Sequence, residues 1–132
     1  MIPSVHGLIA ILPCNELDLS ERFYARLGFL RDRMDVGPSS PRVDYLILSD
    51  GRGAHLHLTR AINGWLTPGR NPFGLYFYVE DVDRLAEMFK GDIIEIDGRP
   101  EHKPWGMYEF SVSDPDETLV RIGCPSRIKR QR

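Results

Sequence analysis

The chain has 132 residues and a mass of 15.1 kDa, enough for one domain or for two very small halves that share a core. With 17 basic and 19 acidic side chains its formal charge is −2, so its composition favours neither a nucleic-acid surface nor an anionic membrane surface. Its apolar runs are far shorter than the ~20 residues of a membrane-spanning helix, and its start lacks the pattern of a secretory signal. Two cysteines form neither a disulfide framework nor a thiolate metal cluster. We therefore expect a cytoplasmic α+β protein with no nucleic-acid or membrane partner.

The first half of the sequence predicts one strand, one helix and three further strands. The predicted elements are a strand at 5–13, a helix at 16–27, and strands near 29–36, 42–49 and 54–60. Asp18 or Ser20 is the expected cap of the helix, and Gly28 lies where a helix commonly ends. Residues 1–62 thus form a first βαβββ unit, and residues 63–73 form a connector rich in glycine and proline.

The same order of elements repeats in the second half. The predicted elements are a strand at 74–79, a helix at 81–90, and strands near 92–96, 107–113 and 118–123. Asp81 is the expected N-cap of the second helix, and Gly91 its stop. Residues 74–124 form the second unit, and 125–132 are expected to be a basic, mobile tail.

Neither four-stranded sheet can cover its inner face alone. We therefore expect the two units, from one chain or from two, to build a curved eight-stranded cleft with the helices outside. A cleft between repeated halves is where a small-molecule site is expected.

Four short motifs span nearly the whole chain. They are ERFYARLGF (21–29), LYFYVEDVDRL (75–85), PWG (104–106) and FSVSDPDETLVRI (110–122). In this order and spacing they resemble the vicinal-oxygen-chelate superfamily, which includes glyoxalase I, extradiol dioxygenases and bleomycin-resistance proteins. The PWG motif, followed by Phe110 and then Asp114, most resembles the bleomycin-resistance branch. The resemblance implies a homodimer that exchanges elements between its chains.

The resemblance also implies four positions from which superfamily enzymes bind a divalent ion. In this sequence those positions are Ile9, His57, Gly74 and Arg121. Only the histidine is a donor, whereas a stable catalytic site needs at least three convergent protein ligands. We therefore expect no metal and no cofactor. A site built from His6, His55 and His57 stays open as an alternative, because the last two share one face of their strand.

Strand periodicity predicts which side chains line the vacated groove. Tyr76 and Tyr78 share the face of Gly74, while the residues around the PWG motif alternate in the same way. The predicted ligand-binding residues are Trp65, Tyr76, Tyr78, Trp105, Met107, Glu109, His57 and Arg121, and no residue is predicted to be catalytic. Such an aromatic slot suits flat heteroaromatic ligands, although each ring alone is equally consistent with ordinary packing.

Charge gives a second indication about the ligand. Asp32, Asp35 and Asp44 lie on or beside the two predicted strands after the first helix, and Glu109 lies on the expected groove face. Each of these carboxylates is equally consistent with a solvated surface. They would favour the encounter with a cation, whereas Arg121 and Arg99 argue against a purely cationic ligand.

The sequence therefore favours a non-catalytic binding protein of the bleomycin-resistance type, which sequesters an aromatic, partly cationic antibiotic or metabolite at a subunit interface. An alternative is a glyoxalase- or dioxygenase-like lyase or oxidoreductase with an unconventional or weak metal site, using His57, Glu109 and Tyr78. A third reading is a partner-binding module whose groove is filled by its own side chains.

Overall fold

The computed structural model describes residues 6–31 and 44–131. It divides into two compact units, Met1–Leu66 and Thr67–Arg132. The elements are β1 (Ala10–Cys14), α1 (Leu17–Arg26), β2 (Leu30–Arg31), β3 (Tyr45–Ser49), β4 (His55–Arg60), β5 (Gly74–Tyr78), α2 (Val82–Met88), β6 (Glu101–His102), β7 (Met107–Ser113), β8 (Leu119–Pro125) and α3 (Ser126–Gln131). This order confirms the predicted α+β class and the tandem βαβββ repeat.

The first unit contains a four-stranded sheet in the order β1-β4-β3-β2, in which β1 and β4 are parallel and the other pairs are antiparallel. Alternation along the strands buries one face under α1, with Leu46, Leu48 and Leu58 almost completely excluded from water. The opposite face carries His57, whose register partners are Ile11 on β1 and Ile47 on β3.

The second unit repeats this arrangement in the order β5-β8-β7-β6, again with its first and last strands parallel. Phe110, Val112 and Ile122 form the buried face. α2 packs on that face, and its end brings Phe89 to a ring-centroid distance of 6.3 Å from Phe110. The alternate residues of the same strands point to the other face, which carries the predicted site.

The two helix starts illustrate how far a cap can be predicted from sequence. Asp81 is the N-cap of α2, as expected, and its side chain accepts a hydrogen bond of 3.1 Å from the backbone N–H of Arg84. The N-cap of α1 is Glu16 rather than Asp18 or Ser20, and its side chain makes no capping bond. Asp18 instead lies in the first turn, where a carboxylate is favourable beside the positive end of the helix dipole.

The predicted strand at 92–96 is wrong, and the strand that borders β7 is β6 instead. The backbone N–H of Ile94 donates to the carbonyl of Ser111 at 2.9 Å, and Ser111 donates its own N–H to the Glu95 carboxylate at 2.7 Å. A side-chain carboxylate thus takes the place of the backbone carbonyl that a neighbouring strand would supply. One residue of backbone pairing is too little to form a strand.

The basic C-terminal segment also differs from expectation, because β8 continues to Pro125 and the helix α3 follows it. Its first residue, Ser126, shares a hydrogen bond of 2.8 Å with Nδ1 of His102, and Lys129 pairs with Asp83 at 2.5 Å. These contacts fix residues for which the sequence predicts mobility. None of the helices in the described ranges combines the length and the apolar character needed to cross a membrane.

The strands predicted at 29–36 and 42–49 fall partly outside the described residues, and the described part forms the strands Leu30–Arg31 and Tyr45–Ser49. The acidic residues Asp32 and Asp35 also lie outside.

Candidate functional site

Six of the predicted site residues lie in the second unit, on the sheet face turned away from α2. We define the second-sheet face as Tyr76 and Tyr78 on β5, Met107, Glu109 and Ser111 on β7, Arg121 and Gly123 on β8, and Trp105 just before β7. The register places Arg121 between Tyr76 and Ser111 on its neighbouring strands. Residues that are distant in sequence are therefore adjacent across three strands.

The carboxylate of Glu109 is the centre of this face. Its Oε1 atom accepts hydrogen bonds from the indole N–H of Trp105 at 2.8 Å and from the hydroxyl of Tyr76 at 3.1 Å. Its Oε2 atom lies 3.4 Å from a guanidinium nitrogen of Arg121. The carboxylate is completely buried, which is tolerable because each of its oxygens has a partner. Glu109 therefore positions the two aromatic rings rather than presenting an acidic group to solvent.

Gly123 allows this convergence. A Cβ atom added at this position would collide with the Tyr76 hydroxyl and lie 2.7 Å from both Glu109 Cβ and the carbonyl oxygen of Tyr108. Sequence reasoning missed this residue, although a glycine inside a strand often marks a close approach of another group.

Two aromatic rings of the second-sheet face are open to solvent. Trp105 is 56% exposed and Tyr78 is 66% exposed, while Tyr76 is partly buried beside Tyr78 with a ring-centroid distance of 4.9 Å. Arg121 lies over the Trp105 ring, with 5.3 Å between its Cζ atom and the ring centroid. The second-sheet face thus presents flat, hydrophobic surfaces beside a cation, a combination suited to stacking.

A second polar cluster supports the same tryptophan. Lys103 lies 5.9 Å from the Trp105 ring centroid and pairs with Glu95 at 3.0 Å and with Glu101 at 2.6 Å. Burial works to raise the pKa of Glu95, but hydrogen bonds from Lys103 and from the Ser111 backbone outweigh it and hold that pKa below its ordinary value. Glu95 is therefore ionised at neutral pH, and the ammonium group of Lys103 is neutralised by two carboxylates.

Burial, reinforced by the negative charge of Glu109, raises the pKa of the Tyr76 phenol above its ordinary value. Tyr76 therefore keeps its proton at physiological pH and remains the donor in its bond to Glu109. A permanent donor of this kind has a structural use, whereas a general base would need a pKa close to neutrality.

The remaining two predicted site residues, His57 and Trp65, lie in the first unit. A hydrogen bond of 2.6 Å joins Nδ1 of His57 to the hydroxyl of Tyr45. Trp65 ends a turn in which its backbone N–H donates to the carbonyl oxygen of Ile62, and its side chain is 62% exposed. Asp44, expected near the groove as an acidic residue, pairs with Arg60 at 2.9 Å.

The donor set does not fit the divalent ion of the superfamily enzymes. Three of the four implied ligand positions hold Ile9, Gly74 and Arg121, which have no lone pair to offer to a metal. In the stretches 6–31 and 44–131, no three His, Cys, Asp or Glu side chains form a group that could hold a metal ion. The alternative of His6, His55 and His57 accordingly has no support in the described geometry.

The fold and this face together define a class of protein: a tandem βαβββ protein with an aromatic, hydrogen-bonded sheet face. The model of the Glyoxalase/Bleomycin resistance protein/Dioxygenase superfamily matches residues 7–122. The chain belongs to that superfamily. Among curated proteins, none matches the chain significantly.

Solved structures with the same fold include both binding proteins and enzymes. A bleomycin-binding protein, solved in complex with bleomycin, is 24% identical with a TM-score of 0.66, covering 92% of this chain and 98% of its own. A bleomycin resistance determinant encoded on the transposon Tn5 is also 24% identical, with a TM-score of 0.68 and the same coverage. A lactoylglutathione lyase from Agrobacterium tumefaciens is 22% identical with a TM-score of 0.62, covering 95% of this chain and 96% of its own. At these identities the likeness concerns the fold.

Proposed function

We propose that this chain is a metal-independent binding protein of the bleomycin-resistance type. It sequesters an aromatic, partly cationic antibiotic or metabolite in a groove of a cytoplasmic homodimer, with the second-sheet face forming part of the groove. The observation that carries this proposal is a pair of half-exposed rings, Trp105 and Tyr78, on a face where the superfamily's metal positions hold no donor. Membership of the superfamily and the bleomycin-bound neighbour of the same fold support it.

The aromatic residues are suited to binding because their orientation is set before a ligand arrives. The indole N–H of Trp105 is bonded to Glu109, and the ring has two cations, Arg121 and Lys103, within 6 Å of its centroid. A ring that is already ordered loses little rotational freedom when a flat ligand stacks on it. Stacking of this kind contributes about 0.5–1.5 kcal/mol per ring pair beyond the apolar area that is buried.

The direct test is a titration of the protein with metal-free bleomycin in the presence of a chelator, followed by tryptophan fluorescence. The chain has two tryptophans, so the matched variants Trp65→Phe and Trp105→Phe each leave one emitter. We expect saturable quenching in Trp65→Phe, because its remaining tryptophan, Trp105, lies on the second-sheet face. We expect Trp105→Phe to bind about tenfold more weakly, equivalent to ~1.4 kcal/mol.

The same titration is repeated by calorimetry. If bleomycin concentrations up to about a millimolar give neither quenching nor a heat of binding, this ligand class is excluded, since a millimolar dissociation constant is the weak end of specific binding. Stoichiometric zinc, iron, nickel or manganese in the purified protein would contradict metal independence and favour the enzymatic alternative.

A further inference from the structure

We propose that Arg121 makes the second-sheet face a receptor for an anionic group, so that the preferred ligand carries a carboxylate beside a planar aromatic ring. This inference rests on the proposed function, and it adds a carboxylate, bound by the second-sheet face, to the aromatic, partly cationic ligand proposed there. It agrees with the expectation that the ligand is not purely cationic, because the charged group exposed among those that meet at Glu109 is the positive Arg121.

The guanidinium of Arg121 is far from saturated by the protein. Its one ion pair joins Nη1 to Glu109 Oε2 at 3.4 Å, longer than the about 2.7–2.9 Å of a charge-assisted hydrogen bond. Within the described ranges, its guanidinium makes no other hydrogen bond or ion pair. A guanidinium carries five N–H donors, so this one long contact leaves most of them without a partner among the described residues, in a side chain that is 39% exposed.

Another arginine of the same chain shows the geometry of a guanidinium that is fully paired with one carboxylate. Arg31 contacts Glu21 through two nitrogens, Nε at 2.6 Å and Nη2 at 2.9 Å, in a bidentate pair. Arg121 is prevented from forming such a pair because Trp105 and Tyr76 already occupy Oε1 of Glu109. The carboxylate therefore holds the guanidinium near it by charge and leaves its fork-shaped set of donors available.

The surroundings of Arg121 select for an anion attached to a ring. Its Cζ atom is 5.3 Å from the centroid of Trp105, so one ligand can stack on the indole and reach the guanidinium. The nearest negative charge, on Glu109, is completely buried and engaged by three donors, which limits its repulsion of a ligand carboxylate. Lys103, the other cation beside the ring, is occupied by two carboxylates of its own.

The test uses two probes of equal shape, 2-naphthoate and 2-naphthamide, titrated into the full chain at fixed ionic strength. The wild type is expected to bind the carboxylate about tenfold more tightly than the carboxamide. Arg121→Gln should abolish this preference, and Arg121→Lys should retain part of it, since an ammonium keeps the charge without the planar fork. Arg127→Gln removes an exposed charge on α3 and should leave the preference unchanged.

Equal binding of the two probes by the wild type would overturn the inference while leaving aromatic binding, and hence the proposed function, intact. Binding of metal-free bleomycin together with no binding of naphthoate would do the same. If neither bleomycin nor either probe binds, the proposed function itself fails. The comparison of the two probes on the wild type needs no variant, so it holds even if Arg121→Gln does not fold.

Discussion

The strongest single test of the site architecture is removal of the buried carboxylate by Glu109→Ala. Its two hydrogen bonds at Oε1 have a charged acceptor, and such bonds contribute about 1.5–3 kcal/mol each. Their donors belong to Trp105 and Tyr76, which are partly exposed and can bond to water when the carboxylate is removed. The lower end of this range therefore applies to each bond. The pair with the partly exposed Arg121 adds at most about 1 kcal/mol.

Against these losses stands the desolvation cost of the buried charge, which the substitution removes. We therefore expect Glu109→Ala to lower the free energy of unfolding by about 2–4 kcal/mol. Glu109→Gln keeps the shape and one acceptor oxygen, but it places an amide donor among donors, and we expect a loss of about 1–2 kcal/mol. The exposed Glu87 on α2 provides the control, since Glu87→Gln should change stability by less than about 0.5 kcal/mol.

The measurement is urea denaturation followed by far-ultraviolet circular dichroism at one fixed protein concentration, because an oligomer would make stability depend on concentration. The expected order of destabilisation is alanine, then glutamine, then the control. A Glu109→Gln protein as stable as the wild type, or more stable, would show that the charge of the carboxylate does not stabilise the fold. In that case the geometry assigned to Trp105 and Tyr76 would have another cause.

Three further results are expected. Gly123→Ala should cost about 1–3 kcal/mol in a denaturation experiment, because the new methyl group collides with the Tyr76 hydroxyl, and unchanged stability would contradict the close packing. Burial and the hydrogen bond to Asp83 raise the pKa of Tyr108 from 10.0 to about 12. The protonated Tyr108 phenol should therefore contribute fully to the free energy of unfolding below pH 10, and this contribution should disappear as the pH rises towards 12. Tyr108→Phe should remove this part of the pH dependence of stability. Lys129→Met should raise the lowered pKa of Asp83 towards its ordinary value in a carboxyl NMR titration, because the ammonium group that lowers it is removed. An unmoved pKa would show that the pair does not form in solution.

Much of the second-sheet face was predictable because a strand has an exact period of two. The buried residues Phe110 and Ile122 fix one face of their strands, and that choice places Glu109 and Arg121 together on the other. The same reasoning applies to Tyr76 on the neighbouring strand. Periodicity gives the face of each side chain, and the parallel pairing of β5 with β8 then follows from the superfamily fold.

What the sequence could not supply are the partners of each side chain across the face. Glu109 was expected to be an acidic group open to a ligand, yet the structure buries it under donors from two other segments. The strand predicted at 92–96 is wrong for a related reason. A short apolar run does not reveal that Glu95 will bond to Ser111 through its side chain. Helix α3 likewise makes contacts that its sequence does not reveal, between Ser126 and His102 and between Lys129 and Asp83.

Arg121 stands where the resemblance to superfamily enzymes implies a metal ligand, and an arginine there has a chemical consequence beyond the loss of a donor. A guanidinium and a divalent ion both offer positive charge to an oxygen atom of a ligand. The metal can also accept electron pairs, lower the pKa of a bound water molecule and polarise a carbonyl group, whereas a guanidinium has no vacant coordination position and does not lose its proton in proteins. An arginine at this position, held by Glu109 and stacked on Trp105, can therefore attract and orient an anionic group without activating it. On this reasoning Arg121 gives the second-sheet face a point of attachment for an anionic group and supplies no Lewis acid at that position.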